Sequence, residues 1–172
     1  MGSIEKPLVV IGCTPFYGHM SPIRVIAKDL VDRGYVVTMI SSSHYKSFVE
    51  ESGATFVPIE GYGDLYDADL KTRFGARDKL APGPEQLTYD IESCFLNSIP
   101  SQHEALQKAF KGLNETYPGR PIVQVNEGVF MGALPITLGA KGIKPTGTLG
   151  LGIVPLSLSS IDLPAFGPGL PP

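Results

Sequence analysis

Two patterns of apolar residues take turns along this chain: short solid runs, and longer stretches in which apolar positions recur at helical spacing. The first solid run, residues 8–11 (Leu-Val-Val-Ile), is bounded by Pro7 and Gly12 and suits a fully buried strand. Four residues also fit a helix fragment, but the Gly-Cys-Thr-Pro that follows ends the element there. Ser21-Pro22 then reads as a helix N-cap with proline at the first helical position. Ile23, Ile26, Ala27, Leu30 and Val31 form the apolar stripe of that helix, and Gly34 is placed for a left-handed cap. Residues 35–40 give a second strand, so the opening is a βαβ unit with parallel pairing and a right-handed crossover.

The alternation continues. A short helix over 44–52 stops at Gly53, and residues 55–59 read as a third strand that Pro58 shortens. Residues 60–84 show no sustained period, as expected of a functional or mobile loop. Residues 85–113 form the longest helical segment, with Leu87, Ile91, Phe95 and Leu96 on one stripe, a break at Pro100, and Ser101 and Glu104 at capping-box spacing for a restart. His103 falls on its polar side and reads as a surface residue. A further buried strand over 121–125 ends at Asn126-Glu127-Gly128; a buried helix distorted by Pro135 follows over 129–140, and a last strand over 144–150. The fold class is therefore α/β, a doubly wound parallel sheet. Residues 1–155 make the domain, and 156–172 form a Pro/Gly-rich segment that reads as the start of a connection to another domain.

Composition narrows the field of partners. A net charge of −3 gives no reason to expect nucleic acid or an anionic membrane, and no apolar run approaches the length of a bilayer span. The start of the chain, MGSIEKP, lacks a signal-peptide core. Two cysteines, Cys13 and Cys94, make no disulfide framework, and a reduced, cytoplasmic setting is expected.

Candidate chemistry gathers at the carboxyl ends of strands, where open parallel sheets bind ligands. His19 lies at the start of the first helix, whose positive end disfavours imidazolium and so favours a ring able to take a proton. The alternative is a loop histidine bonded only to backbone. Glu127, beside Asn126, ends the 121–125 strand; a carboxylate on the far ring nitrogen would fix the tautomer and stabilise imidazolium, while a strand-ending glutamate is more often just solvated. Cys13 fits an inert small hydrophobe better than a nucleophile. Asp64, Asp67 and Asp69 read as a solvated acidic loop without the glycine-centred pattern of a calcium site.

The loop TPFYGHMSPI, followed by a helix ending in Arg33-Gly34-Tyr35-Val36-Val37-Thr38, resembles the N-terminal domain of UDP-sugar-dependent glycosyltransferases of GT-B architecture. The later run GALPITLGAKGIKPTGTLGLGIVPLSLSSIDLPAFGPGLPP is similar to the fungal and bacterial branch that glycosylates small lipophilic acceptors. The resemblance implies a UDP-glycosyltransferase (hexosyltransferase) with a UDP-sugar as donor substrate and no permanently bound cofactor or metal. It implies His19 as the base that deprotonates the acceptor hydroxyl, whose oxygen attacks the anomeric carbon from the face opposite UDP and inverts it. The family commonly has an aspartate behind the histidine; the matching position here is Glu127, with a longer reach.

The family holds the donor mostly in a C-terminal domain that residues 1–172 do not contain, so a donor-binding domain on a separate chain, in a heteromer, is the expected partner. Phe16, Tyr17, Gly18, the 61–84 loop, Leu87, Ile91 and Phe95 are the expected lining of an apolar acceptor pocket, suited to a phenol, polyketide or sterol. Two other readings compete. One is a non-catalytic binding or scaffold subunit of a glycosyltransferase complex. The other is a Rossmann oxidoreductase, which the absence of G-x-G-x-x-G in the first loop disfavours.

Overall fold

A computed structural model describes residues 5–153; the expected connecting segment 156–172 lies outside the described residues. Strands β1 (Leu8–Gly12), β2 (Val37–Ser42), β3 (Thr55–Ile59), β4 (Ile122–Glu127) and β5 (Gly147–Leu151) form one sheet in the order β3-β2-β1-β4-β5. Every pairing is parallel. The helices are α1 (Tyr17–Asp32), α2 (Lys46–Glu50), α3 (Asp69–Thr72), α4 (Pro84–Asp90), α5 (Ile99–Thr116) and α6 (Leu134–Thr137).

Strand β1 is buried along its whole length because both faces of the sheet are covered. Leu8 and Val10 point to the face packed by Leu106, Ala109, Phe110 and Leu113 of α5. Val9 and Ile11 point to the other, against Met20, Ile23 and Ala27 of α1 and Val49 of α2. Burying a side chain such as Phe110 or Met20 contributes about 1.5–3 kcal/mol, and the period-two alternation of the strand fixes which residues go where. The doubly wound sheet read from the sequence is the observed fold. Pro58 is accommodated because β3 is an edge strand, where a missing N–H costs no ladder bond.

Boundaries differ where proline was read as punctuation. Helix α1 begins at Tyr17, one turn before the expected Ser21 cap, and Pro22 lies inside it. Its other end is as expected: Gly34 has φ of +79°, and the Gly34 and Tyr35 N–H groups close back on Val31 and Leu30. The expected 85–113 helix is two helices. Helix α4 runs into a wide π turn over Ile91–Leu96, and α5 starts at Ile99, so that Pro100 sits in a first turn where its missing N–H is no loss. Ser101 is not a cap; its buried hydroxyl accepts the Gly63 N–H at 2.9 Å. The expected 129–140 helix is reduced to single turns at Met131–Ala133 and Leu134–Thr137, with Pro135 near the start of the second. His103 is half-buried rather than exposed, with Nδ1 3.2 Å from the Gly132 carbonyl oxygen.

Candidate active site

The two central strands bring the chemistry together. In the β1–β4 register Gly12 lies opposite Asn126, so Glu127 emerges beside the loop that leads into α1. Gly12 permits this closeness: a Cβ there would stand 2.3 Å from the ring of Phe130, which packs under the turn after β4. The Phe130 N–H closes that turn on the Glu127 carbonyl at 2.9 Å.

His19 occupies the first turn of α1. Its Nδ1 is buried and lies 3.0 Å from Oε1 of Glu127. The separation is that of a hydrogen bond, but the N–H does not point squarely at the oxygen, so attraction between the groups carries much of the contact. The Glu127 side chain is 0% exposed and that of His19 23% exposed, which leaves the opposite edge of the ring, with Nε2, as its accessible part. Glu127 also accepts the Val129 N–H at 3.0 Å and, at a longer 3.4 Å, the Thr14 N–H. Burial pushes the Glu127 carboxyl up, but His19 and these backbone donors outweigh it, and the net shift is below the ordinary carboxylate value. The site thus holds an ionised carboxylate against a ring whose other nitrogen faces outward.

That edge opens into a cleft of about 400 Å³ lined by Phe16, Gly18, His19, Asp67, Leu70, Arg77, Leu87, Asp90, Cys94 and Phe95. Of the residues expected to line an acceptor pocket, Phe16, Gly18, Leu87 and Phe95 are there, with Asp67, Leu70 and Arg77 from the 61–84 loop. Tyr17 and Ile91 are not. The Tyr17 side chain, 59% exposed, turns to the outer face of α1, where its ring lies 6.1 Å from that of Phe48. That face carries a second depression of about 400 Å³, but the charged residues lining it are already paired, Arg24 with Glu51, Lys28 with Asp32 and Asp29 with Arg33. Ile91 begins the π turn and is not in the lining, which takes Asp90 from the end of α4 and Cys94 and Phe95 from the π turn.

The acidic loop is solvated as expected at Asp67, which is exposed, while Asp64 and Asp69 are half-buried; all three carboxylates are also hydrogen-bonded. Asp64 accepts both hydroxyls of Ser42 and Ser43 at 2.6 Å and the Ser43 N–H at 2.8 Å. Asp69 accepts the Tyr66 N–H at 2.9 Å, and Asp67 accepts the Tyr17 N–H and the Tyr45 hydroxyl. Asp69 closes on its own helical turn, Asp64 ties the loop to the end of β2, and Asp67 ties it to the start of α1. No group of acidic, histidine or cysteine side chains among the described residues has the arrangement of a metal site. Cys13 is buried with its thiol pushed well up, first by burial and then by Glu127, as befits a packing residue. Cys94 is likewise pushed up, to about 11, mainly by burial.

The sequence reading named the loop as lining but missed Asp90 and Cys94, and it missed what Asp67 does. No sequence signal points to Asp67, because the expected cap is Ser21 and only the structure puts Phe16, which has no side-chain oxygen, at the N-cap. Among the described residues no helix is long and apolar enough to cross a membrane.

No protein-family model matches the chain. It is, however, 37% identical over its whole length to UDP-glycosyltransferase 2 of Phaeomoniella chlamydospora, of which it covers 37%. It is 36% identical, over 99% of its length, to UDP-glucosyltransferase B1 of Starmerella bombicola, of which it covers 39%. UDP-glucosyltransferase A1 of the same organism is 38% identical over 92% of the chain, which covers 34% of that protein. Among solved structures, the glycotransferase of kitacinnamycin superposes with a TM-score of 0.53 and 17% identity, over 86% of this chain and 30% of that one; that likeness concerns the fold alone. The chain is thus related along its whole length to UDP-glycosyltransferases, as its first loop and helix suggest, and it spans well under half the length of the curated relatives it matches.

Proposed function

We propose that this UDP-glycosyltransferase-related chain is the acceptor-binding half of an inverting transferase that moves a sugar from a UDP-sugar to a hydroxyl of a small lipophilic molecule. In this reading residues 1–155 are the acceptor domain and 156–172 lead away from it. The observation that carries the reading is His19, with Nδ1 against the buried carboxylate of Glu127 and its other edge open to an aromatic-lined cleft.

The chemistry follows from that arrangement. An acceptor hydroxyl held in the cleft gives its proton to Nε2 of His19 as its oxygen bonds to the anomeric carbon of the donor. The bond from that carbon to the β-phosphate oxygen breaks, and UDP leaves with the electron pair on the opposite face, so configuration inverts. Glu127 stays ionised and stabilises the imidazolium that forms. Apolar walls at Phe16, Leu70, Leu87 and Phe95 favour a hydrophobic acceptor and keep water from competing with its hydroxyl. The UDP-sugar enters as a substrate; no resident cofactor is required. A donor-binding domain completes the site, either on a separate chain or continuous with this one, because transfer needs acceptor, base and donor in one geometry.

The test is turnover by His19→Ala in the assembled transferase. Loss of a general base lowers the rate by about 10²–10⁴-fold, with acceptor binding to the cleft retained. Turnover at the wild-type rate would remove the mechanism and favour a non-catalytic binding subunit.

A further inference from the structure

The first turn of α1 is a weak place on which to mount a catalytic base. Helices begin with N–H groups that have no partner inside the helix, and Ser, Thr, Asp or Asn at the N-cap normally satisfies one of them. Here the N-cap is Phe16, which offers no side-chain bond. Gly18 is a poor helix former, and Pro22 removes the N–H that would have bonded back to the Gly18 carbonyl. In the turn bearing His19, the His19 and Met20 N–H groups both bond the Phe16 carbonyl at 2.9 Å.

The missing cap comes from far along the sequence. Both oxygens of Asp67 lie against the Tyr17 N–H, Oδ1 at 3.2 Å and Oδ2 at 3.1 Å. A carboxylate there satisfies the orphan donor and sits at the positive end of the helix. Asp67 is itself pinned, because the Tyr45 hydroxyl donates to Oδ2 and the Tyr45 ring is buried among Cys13, Met20 and Val49. Asp67 also lines the cleft, next to Leu70 of the same loop and opposite Leu87 and Phe95.

We propose that Asp67 is a positioning residue for His19: it caps the helix that carries the base, and through the loop it sits on it ties base geometry to occupancy of the acceptor cleft. This rests on the reading of His19 as the base. An acceptor lying in the cleft touches the carboxylate that holds the helix start, so binding and alignment of the base are linked through one side chain. The pinning by Tyr45 lets the carboxylate do this without swinging out to solvent.

The experiment compares Asp67→Ala, Asp67→Asn and Tyr45→Phe in the transferase assembled with its donor domain, measuring kcat and acceptor KM separately. It also follows the His19 ring resonances by NMR in the full 172-residue chain, with no dependence on activity. Asp67→Ala is expected to lower kcat at saturating acceptor by about 10-fold through misalignment of the base and to shift and broaden the His19 signals. Asp67→Asn keeps an oxygen for the Tyr17 N–H and is expected to recover most of the rate; Tyr45→Phe falls between. A raised KM with unchanged kcat would make Asp67 an acceptor contact only. A uniform loss of folded protein, with no rescue by asparagine and unaltered His19 signals in what remains, would make it merely structural. Either result overturns the proposal. If His19→Ala is itself fully active, the reading of the base fails, and the His19 resonances alone still decide whether Asp67 orders that turn.

Discussion

Glu127 replaces the aspartate that the family resemblance leads one to expect, and the structure accounts for the longer side chain. Its two oxygens reach His19, the Val129 N–H and the Thr14 N–H together, from a backbone held in place by the Gly12–Phe130 contact. If His19 is the base as proposed, Glu127→Gln is expected to keep the shape while losing the charge that would stabilise imidazolium, lowering kcat by about 10²-fold or more. A pH signature accompanies this. The Glu127 carboxyl is depressed in the folded state below its ordinary 4.5, so its ionisation stabilises the fold above that value, and the contribution disappears as pH falls through the lower folded-state value. The stability gap between wild type and Glu127→Gln, measured by urea unfolding, should therefore be constant near neutrality and narrow on acidification. A gap that widens towards acid would contradict the assigned pairing. Gly12→Ala presses a methyl into the Phe130 ring and is expected to cost about 1–3 kcal/mol, read from the same unfolding curves. Gly18→Ala meets nothing within 4 Å at an ordinary helical position, so it should keep or slightly raise stability and act only by narrowing the cleft.

Among the elements, the strands and the C-terminal end of α1 were legible in the sequence, because buried parallel strands are unbroken apolar runs and Gly34 is the residue a left-handed cap requires. Helix starts were not. Pro22, Pro100 and Pro135 each read as a boundary or a distortion, yet Pro22 lies inside α1, whose first N–H bonds distant Asp67, and Pro100 in the first turn of α5, where Ser101 bonds Gly63. The 61–84 loop was legible as a candidate for function but not as structure, since its order comes from separate carboxylates, each with its own partner, and such bonds leave no period. His19 and Glu127 could be named from strand ends alone, whereas Cys94 depends on a π turn that no spacing announces. One brace in this wall is Arg77, whose Nε lies 2.7 Å from Oδ1 of Asp90 and which links the loop to α4. The pair is partly exposed and worth only ~0.2–1 kcal/mol, so Arg77→Ala should leave the melting temperature nearly unchanged. It should still loosen the cleft and raise acceptor KM several-fold with kcat preserved. An equal fall in kcat would place Arg77 nearer the chemistry than the geometry suggests.

At the scale of the whole molecule, Thr14, His19, Asp67 and Glu127 gather near the carboxyl ends of the strands, beside the cleft proposed to take the acceptor. Phe16, Leu70, Leu87 and Phe95 supply apolar contact there, and in the proposed mechanism His19 takes the proton while a donor-binding domain holds the UDP-sugar. Binding and transfer should therefore separate. The chain by itself is expected to bind planar or lipophilic alcohols and phenols in preference to sugar-like or charged acceptors, as followed by quenching of a fluorescent phenol, with the affinity reduced by Gly18→Ala. Glycoside should form only when a donor-binding domain and a UDP-sugar are added. Interfaces between such domains are commonly modest and polar, so association is expected to strengthen when the UDP-sugar and acceptor are both present, since each contributes contacts across the gap. Sedimentation of the mixture with and without the two substrates measures that coupling. Glycoside formation by residues 1–172 alone, after removal of every other protein, would mean that the donor is held by side chains assigned here to the acceptor.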